Sequence, residues 1–342
     1  MQEERRDFFK AAALAAAGAG LAAAGRPSQA ATETARENRF ARRFEIIDFR
    51  CRPPIAQQKL LFDMKLGRLK WKNKFNVIPA QATSPSMYEV GTEKGLRLLR
   101  QEMDEAGVDR IVVPGRKLER LPEAVRNLSG IESINVGDEL LLDLSKKFGG
   151  RAIGLHGIDV ADPKRAADEI ERAVKDLGLP GVVLEVGYTT LPDGSPIKLD
   201  DKRLFPIYEA VTALDAVLML QSGIYAGFDI GANDWPPLDR VLQRFPEMKV
   251  ILAHGGYPRV LDALALVSKH PNLYISPDIY CFFPGGRLYV ESIPLMPDQF
   301  VFGTAYPFAP LKESVELVLQ FPLPEDVMAK YLGGNAARLL GL

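Results

Sequence analysis

Residues 249–256 read Lys-Val-Ile-Leu-Ala-His-Gly-Gly, a short apolar run that ends in a histidine and a glycine pair. Such an uninterrupted run is typical of a strand whose two faces are both buried in a parallel sheet. The residues that follow, Tyr257–Lys269, have helical periodicity, and a further apolar run occupies Leu273–Pro277. The region therefore predicts a strand, a covering helix and a second parallel strand.

The same alternation extends along the chain from residue 44. Eight such units, with no glycine-rich phosphate motif after the first strand, favour a single α/β domain, a closed (β/α)8 TIM barrel over residues 44–342. The remaining strand candidates are Phe44–Cys51, Arg110–Pro114, Ala152–Gly157, Gly181–Val186, Ala216–Gln221 and Gln299–Gly303, and further helices are predicted over Gly91–Ala106, Pro163–Leu177, Leu204–Leu214 and Leu238–Phe245. Residues 53–90 are predicted to form a long loop that covers the barrel mouth.

Charge and cysteine content exclude several classes of protein. The chain has 342 residues with 43 Lys and Arg against 44 Asp and Glu, a formal net charge of −1. There is no basic field for nucleic acid or for an anionic membrane surface. Two cysteines, Cys51 and Cys281, cannot form a disulfide framework. A small anionic molecule is the expected ligand, and self-association into a homo-oligomer stays open.

The N-terminal residues have the features of an export signal. Arg5-Arg6-Asp7-Phe8-Phe9-Lys10 precedes an Ala- and Gly-rich run over 11–25, followed by small residues near position 30. The run is too short and too weakly apolar to span a membrane. The arginine pair resembles a twin-arginine signal, which implies cleavage of residues 1–30, recognition by the twin-arginine export machinery and a periplasmic or secreted protein without stable membrane insertion. Residues 31–43 form a short segment before the barrel.

Polar residues at the carboxyl ends of the predicted strands are the candidate site, because that end of a barrel carries the chemistry. Arg50 and Arg52 are two residues apart, so they lie on one face of an extended segment and predict an anion clamp. The other candidates are Glu185, Gln221, His254, Asp278, Tyr280 and Tyr306. His254, Glu185 and Asp278 are expected to act as acid or base groups, and Gln221, Tyr280 and Tyr306 to bind substrate.

The chain has three histidines. His254 stands between an apolar strand and a tight turn, which makes it the main functional candidate. His156 on the third strand is assigned to the substrate-binding set, with filling of the barrel interior as the alternative. His270 follows a helix end, where a capping role is expected.

Several motifs resemble the amidohydrolase superfamily, in its amidohydrolase-2 branch. The resemblance rests on Glu45-Ile-Ile-Asp48, on Val250–Gly256, on Phe302-Gly-Thr-Ala-Tyr-Pro307 and on Gly333–Leu340, and it covers nearly all of residues 44–342. It implies a TIM barrel and a hydrolase or a decarboxylase of conjugated carboxylic acids.

The metal-binding positions that the resemblance implies are altered. The family's first-strand Asp-x-His-x-His has Arg50 and Arg52 in place of the two histidines, and Gln221 and Ala305 replace a further histidine and an aspartate. Guanidinium cannot ligate a cation. No cofactor is therefore expected; a divalent metal relocated to His254, Glu185 and Asp278 is the alternative.

The sequence thus predicts an enzyme for a small carboxylate, a hydrolase or a decarboxylase, that uses the arginines as an anion clamp and His254 as acid/base. Two alternatives stay open at this point. One is a catalytically silent barrel that binds a small anion, and the other is a metal-dependent amidohydrolase with relocated ligands.

Overall fold

A computed structural model of the protein describes residues 44–66, 83–118, 134–185, 198–223 and 234–342. Within these ranges a curled parallel sheet of seven strands has each strand paired with the next along the chain, the arrangement of a TIM-type barrel. The strands are β1 (Ile47–Asp48), β2 (Arg110–Pro114), β3 (Ala152–Gly157), β4 (Gly181–Glu185), β5 (Val217–Gln221), β6 (Lys249–Ala253) and β7 (Leu273–Ser276).

Helices connect the strands and cover the outer face of the sheet. In the described ranges they are α1 (Lys59–Lys65), α2 (Glu93–Ala106), α3 (Asp138–Lys147), α4 (Pro163–Lys175), α5 (Phe205–Ala213), α6 (Trp235–Arg244), α7 (Val260–Lys269), α8 (Arg287–Ser292), α9 (Leu311–Val318), α10 (Glu325–Ala329) and α11 (Asn335–Leu340). None of the helices in this part of the chain combines the length and the apolar character that a membrane crossing requires. The five helices predicted from periodicity are confirmed, with shifted ends.

Local sequence explains where the long helices begin. The Thr92 hydroxyl oxygen accepts a hydrogen bond from the backbone N–H of Gly95, and the Asp162 carboxylate accepts one from the N–H of Arg165. Both residues cap the free N–H groups of a first helical turn. α2 then ends before Gly107, which adopts a left-handed φ of 70°.

The predicted first and eighth strands need correction. β1 is only two residues long, and no strand is assigned over Gln299–Gly303, although Val301 and Gln299 each share a backbone hydrogen bond with Ile275 of β7. The eighth segment pairs with β7 through an isolated bridge between Phe300 and Ile275. Where it meets the first strand, the buried carboxylate of Asp48 accepts hydrogen bonds from the backbone N–H groups of Arg50 and Thr304, so a side chain satisfies donors that a regular ladder would pair. One backbone bond still joins the two, from the N–H of Phe49 to the carbonyl oxygen of Phe302.

The predicted loop over residues 53–90 is partly helical. It contains α1 and two short 3₁₀ turns, at Ala56–Gln58 and Pro85–Tyr88. Its central residues, 67–82, lie outside the described ranges. The lid function expected of this segment stays a prediction.

Side chains alternate between two hydrophobic layers. On β5, Val217 and Met219 belong to an inner cluster, whereas Leu218 and Leu220 pack towards the helices. This period of two is what a parallel sheet covered on both faces requires. The inner cluster also includes Ala336, Leu339 and Leu340 of α11, so the last helix closes the amino-terminal end of the sheet.

We predict that Leu339→Ala destabilises the protein by about 2–5 kcal/mol, because Leu339 is 3% exposed and its loss leaves a cavity under the sheet. Urea denaturation measures this difference. Leu342→Ala is the matched control, since Leu342 is 56% exposed and its truncation is expected to cost under about 0.5 kcal/mol. Equal effects from the two changes would contradict the placement of α11.

Candidate functional site

The candidate site lies where β4 to β7 end. Glu185 and Gln221 are the last residues of β4 and β5, and both continue the inward-facing positions of their strands. Ser276, the last residue of β7, follows inward-facing Tyr274 in the same way. All three side chains are buried. The carboxyl end of the sheet therefore encloses a polar cluster inside an apolar scaffold.

His254 and Asp278 form a contact pair in this cluster. The Nδ1 atom of His254 lies 2.9 Å from Oδ2 of Asp278, and the backbone N–H of His254 donates to the same oxygen over 3.2 Å. His254 follows β6 directly and Asp278 comes two residues after β7, and both have a left-handed φ, 63° for His254 and 53° for Asp278. Non-glycine residues in this conformation occur at sites where the surrounding structure imposes it. The Tyr280 ring packs edge-on against the imidazole, with ring centroids 5.4 Å apart.

The Asp278 carboxylate is held from three further sides. The Ser276 hydroxyl donates to Oδ1, and Nε of Arg50 lies 3.6 Å from Oδ2. Gly303 forms the wall behind the carboxylate, since a Cβ there would lie 2.4 Å from Oδ1. Any side chain at position 303 would displace Asp278.

Three arginines surround this pair of residues. Arg50 and Arg52 are both buried, 2% and 4% exposed, and both feel the charges of Glu185 and Asp278. The third is Arg116, which follows β2 and contacts Glu185 with Nε at 3.2 Å. Burial lowers the pKa of the Arg52 guanidinium well below its usual value, and the charges of Arg50 and Arg116 lower it further. Arginine nevertheless stays protonated in proteins, so the cluster concentrates positive charge.

The same charges act on the two acid/base candidates. Burial lowers the pKa of His254 to about 3, with Arg50 as the next cause, although the Asp278 carboxylate opposes the change. His254 is therefore neutral near pH 7. Burial alone would raise the pKa of Asp278, but contacts with His254 and Arg50 hold it below its usual value. The pair thus combines an ionised carboxylate with a neutral imidazole.

Residues 100–342 match the amidohydrolase family, and this match covers more than half of the chain. The chain belongs to the amidohydrolase family.

Known relatives of this amidohydrolase chain include decarboxylases. It is 29% identical over 237 residues to 2-amino-3-carboxymuconate-6-semialdehyde decarboxylase of Dictyostelium discoideum, a match that covers 56% of the chain and 62% of that relative. A TIM-barrel protein of unknown activity from Bordetella bronchiseptica has 30% identity and a TM-score of 0.71, with 87% of this chain and 98% of that one covered. A dihydroxybenzoic acid decarboxylase of Polaromonas with bound manganese has 19% identity and a TM-score of 0.60, with 87% and 97% covered, and supports the fold.

The side chains that the structure describes around His254 and Asp278 do not fit a divalent metal. In the described ranges no three His, Cys, Asp or Glu side chains are grouped so that they could hold an ion. Nδ1 of His254 already faces Asp278, and Glu185 faces Arg116. A dication would also meet the buried guanidinium groups of Arg50 and Arg52, which carry the same sign of charge.

Two of the sequence predictions for individual site residues are corrected. His156 neighbours inward-facing Leu155, so its side chain lies on the helix side of β3, where Nδ1 is 2.7 Å from Oδ1 of Asp138. It neither fills the barrel interior nor reaches the strand-end cluster. Tyr306 packs outward as well, since its hydroxyl contacts Ser86 and donates to Glu102 of α2.

The other predicted residues come together, and three were missed. Contacts or mutual charges link five of the predicted residues: Arg50, Glu185, His254, Asp278 and Tyr280. Gln221 is buried, and its side-chain nitrogen has no hydrogen-bond partner in the described part of the chain. His270 lies at the end of α7, where it contacts Asp239 of α6, away from the carboxyl ends of the strands. The missed residues are Arg116, Ser276 and Gly303, and all three had a usable signal, since Arg116 lies just after a predicted strand and Ser276 and Gly303 lie at the carboxyl ends of two others.

We predict that His254 makes the protein less stable as the pH falls from about 6.5 towards 3. The unfolded chain binds a proton at His254 in this range and the folded protein does not, because the pKa falls from 6.5 to about 3 on folding. The contribution of His254 to the free energy of unfolding is thus present in full above pH 6.5, the pKa of the unfolded chain. It is lost as the pH falls below that value, by at most about 5 kcal/mol. Urea denaturation across this range should show a flatter slope for His254→Gln. An unchanged slope for His254→Gln would contradict the assigned burial.

Proposed function

We propose that this amidohydrolase is a metal-independent enzyme for a small carboxylate, and that its reaction is a decarboxylation. The observation that carries the proposal is the His254–Asp278 pair beside buried Arg50 and Arg52. The activity of the Dictyostelium decarboxylase, a relative at 29% identity, supports the reaction type. The unsuited donor set supports the absence of a metal.

The arginines supply the electrostatic part of the reaction. When a carboxylate leaves as CO₂, its bonding electron pair stays on carbon and must spread onto an oxygen of a conjugated system. Fixed guanidinium groups near that oxygen stabilise the transition state because the negative charge grows there. Buried donors are stronger in this role than the same groups in water.

His254 supplies the proton. Its Nδ1 side faces Asp278, so Nε2 is the atom left to exchange a proton with the substrate. A bound anion raises the pKa of the imidazole, which then takes up a proton from solvent at Nε2. Transfer of that proton to the carbon that lost CO₂ completes the reaction and restores neutral His254. Asp278 keeps the ring oriented throughout.

Hydrolysis of a lactone or related bond is the second candidate. The observation that favours it is the contact between Nδ1 of His254 and the Asp278 carboxylate at 2.9 Å, which orients a ring whose pKa is lowered by burial. A neutral imidazole oriented by a carboxylate is a suitable base for a water molecule, and the arginines would then stabilise the oxyanion. The two candidates use the same residues and differ in the products.

We predict that His254→Gln lowers kcat by about 10²–10⁴-fold while carboxylate binding persists, because the change removes proton transfer and not the arginines. Purified protein is incubated with a panel of aromatic and conjugated acids and of lactones, and products and CO₂ are quantified. His270→Gln is the matched control and keeps full turnover.

The products distinguish the candidates. Release of CO₂ supports the decarboxylase, and ring opening without CO₂ supports the hydrolase. If an acid raises the melting temperature but is recovered chemically unchanged, both candidates are contradicted, and the catalytically silent, anion-binding barrel is supported instead.

We predict that removal of metal leaves turnover unchanged within about twofold. The protein is purified without chelators, its metal content is measured, and activity is compared before and after dialysis against EDTA. Loss of activity that manganese or zinc restores would establish the metal-dependent alternative with relocated ligands.

We also propose export by the twin-arginine route, on the basis of residues 1–30, which lie outside the described ranges. Fractionation of cells that express the full chain and an Arg5→Lys/Arg6→Lys variant tests this. Wild-type protein should reach the periplasm or the medium, and the variant should stay in the cytoplasm.

A further inference from the structure

The arginines of the site differ in how their charges are compensated. Arg116 has the Glu185 carboxylate at 3.2 Å. Arg50 has the Asp278 carboxylate at 3.6 Å, and its Nη1 reaches the sulfur of Met219 at 3.7 Å. The charge of each of these two guanidinium groups is thus compensated by a neighbouring carboxylate of the protein.

Arg52 has no such partner in the described part of the chain. Its one hydrogen bond there runs from Nη1 to the carbonyl oxygen of Ala305, over 3.4 Å. The guanidinium carbon also lies 6.0 Å from the centroid of the Phe308 ring. The residue is 4% exposed, and its Nε, like that of Arg50, has no hydrogen-bond partner among the described residues, so the difference between the two arginines is the carboxylate beside Arg50.

The free edge of Arg52 has the geometry of a carboxylate receptor. Nη1 is occupied by Ala305, which leaves Nε–H beside Nη2–H as two parallel donors on one edge of the guanidinium plane. Two such donors match the two oxygens of a carboxylate. A charge that is buried without a counter-charge is costly, and an incoming anion removes that cost.

We infer that Arg52 alone receives the substrate's anionic group, whereas Arg50 is the fixed counter-charge of Asp278. This assignment rests on the proposed carboxylate substrate and divides the predicted clamp into a binding residue and a positioning residue. The site then takes one carboxylate or one comparable oxyanion. Arg50 orients His254 through Asp278, and its fixed positive charge supplies the electrostatic stabilisation of the proposed reaction.

The assignment predicts opposite effects on stability from two similar substitutions. Arg52→Met removes a buried charge that lacks a partner, so the melting temperature should rise by about 2 °C or more. Arg50→Met leaves Asp278 buried without its cation, so the melting temperature should fall by more than about 6 °C. Asp278→Asn added to Arg50→Met should recover part of that loss.

Binding provides the second measurement. Sodium benzoate is the anionic probe and benzamide is its neutral counterpart, and both are titrated by calorimetry and by thermal shift. Wild-type protein should be stabilised by benzoate and not by benzamide. Arg52→Met should weaken benzoate binding at least about 30-fold, and Arg52→Lys, which keeps the charge but not the paired donors, about tenfold.

The outcomes separate this inference from the proposed reaction. The melting comparison needs no substrate, so it tests Arg52 even when no acid is turned over. A lower melting temperature for Arg52→Met, a failure of that variant to fold, or full benzoate binding by it would overturn the assignment. If His254→Gln loses turnover but still binds benzoate, the result supports Arg52 as the anion receptor separately from the reaction. If Arg52→Met releases CO₂ at the wild-type KM, the assignment of Arg52 is contradicted.

Discussion

A guanidinium group buried at the end of a barrel strand requires a negative partner, and Asp278 supplies it to Arg50. The contact is long, 3.6 Å, but the same carboxylate oxygen also meets the imidazole and the backbone N–H of His254. One carboxylate thus connects the ends of three strand segments. The orientation of the His254 ring follows from this shared partner, whereas burial and the charge of Arg50 keep the ring neutral by lowering its pKa.

The scaffold leaves room for this arrangement by placing glycine where the backbone or a carboxylate comes close. Gly303 stands behind the Asp278 carboxylate, as described above. At the end of β3, a Cβ on Gly157 would lie 2.6 Å from the backbone nitrogen of Arg116. Because position 157 lacks a side chain, the chain after β2 can cross it and bring Arg116 to Glu185 of β4. Charge placement and backbone packing are therefore coupled.

The site combines features of binding and of catalysis in a small volume. Positive charge lies next to an uncharged imidazole, and the imidazole becomes a stronger base only when an anion enters. In the proposed reaction, proton uptake by His254 is thereby tied to occupancy of the site. The fixed charges of arginine supply the electrostatic stabilisation in that proposal.

The apolar runs and the helical periodicity determined the α/β class, the strands β2 to β7 and their parallel order, because burial on both faces of a sheet imposes a local pattern that the sequence displays. The strand-end position of His254, Asp278 and Glu185 followed from the same pattern. Tertiary structure decided which charges are paired. Three features depend on register and on contacts between residues that are distant in sequence: which of Arg50 and Arg52 faces Asp278, whether His156 points inward, and whether Arg116 reaches Glu185. No local pattern encodes them.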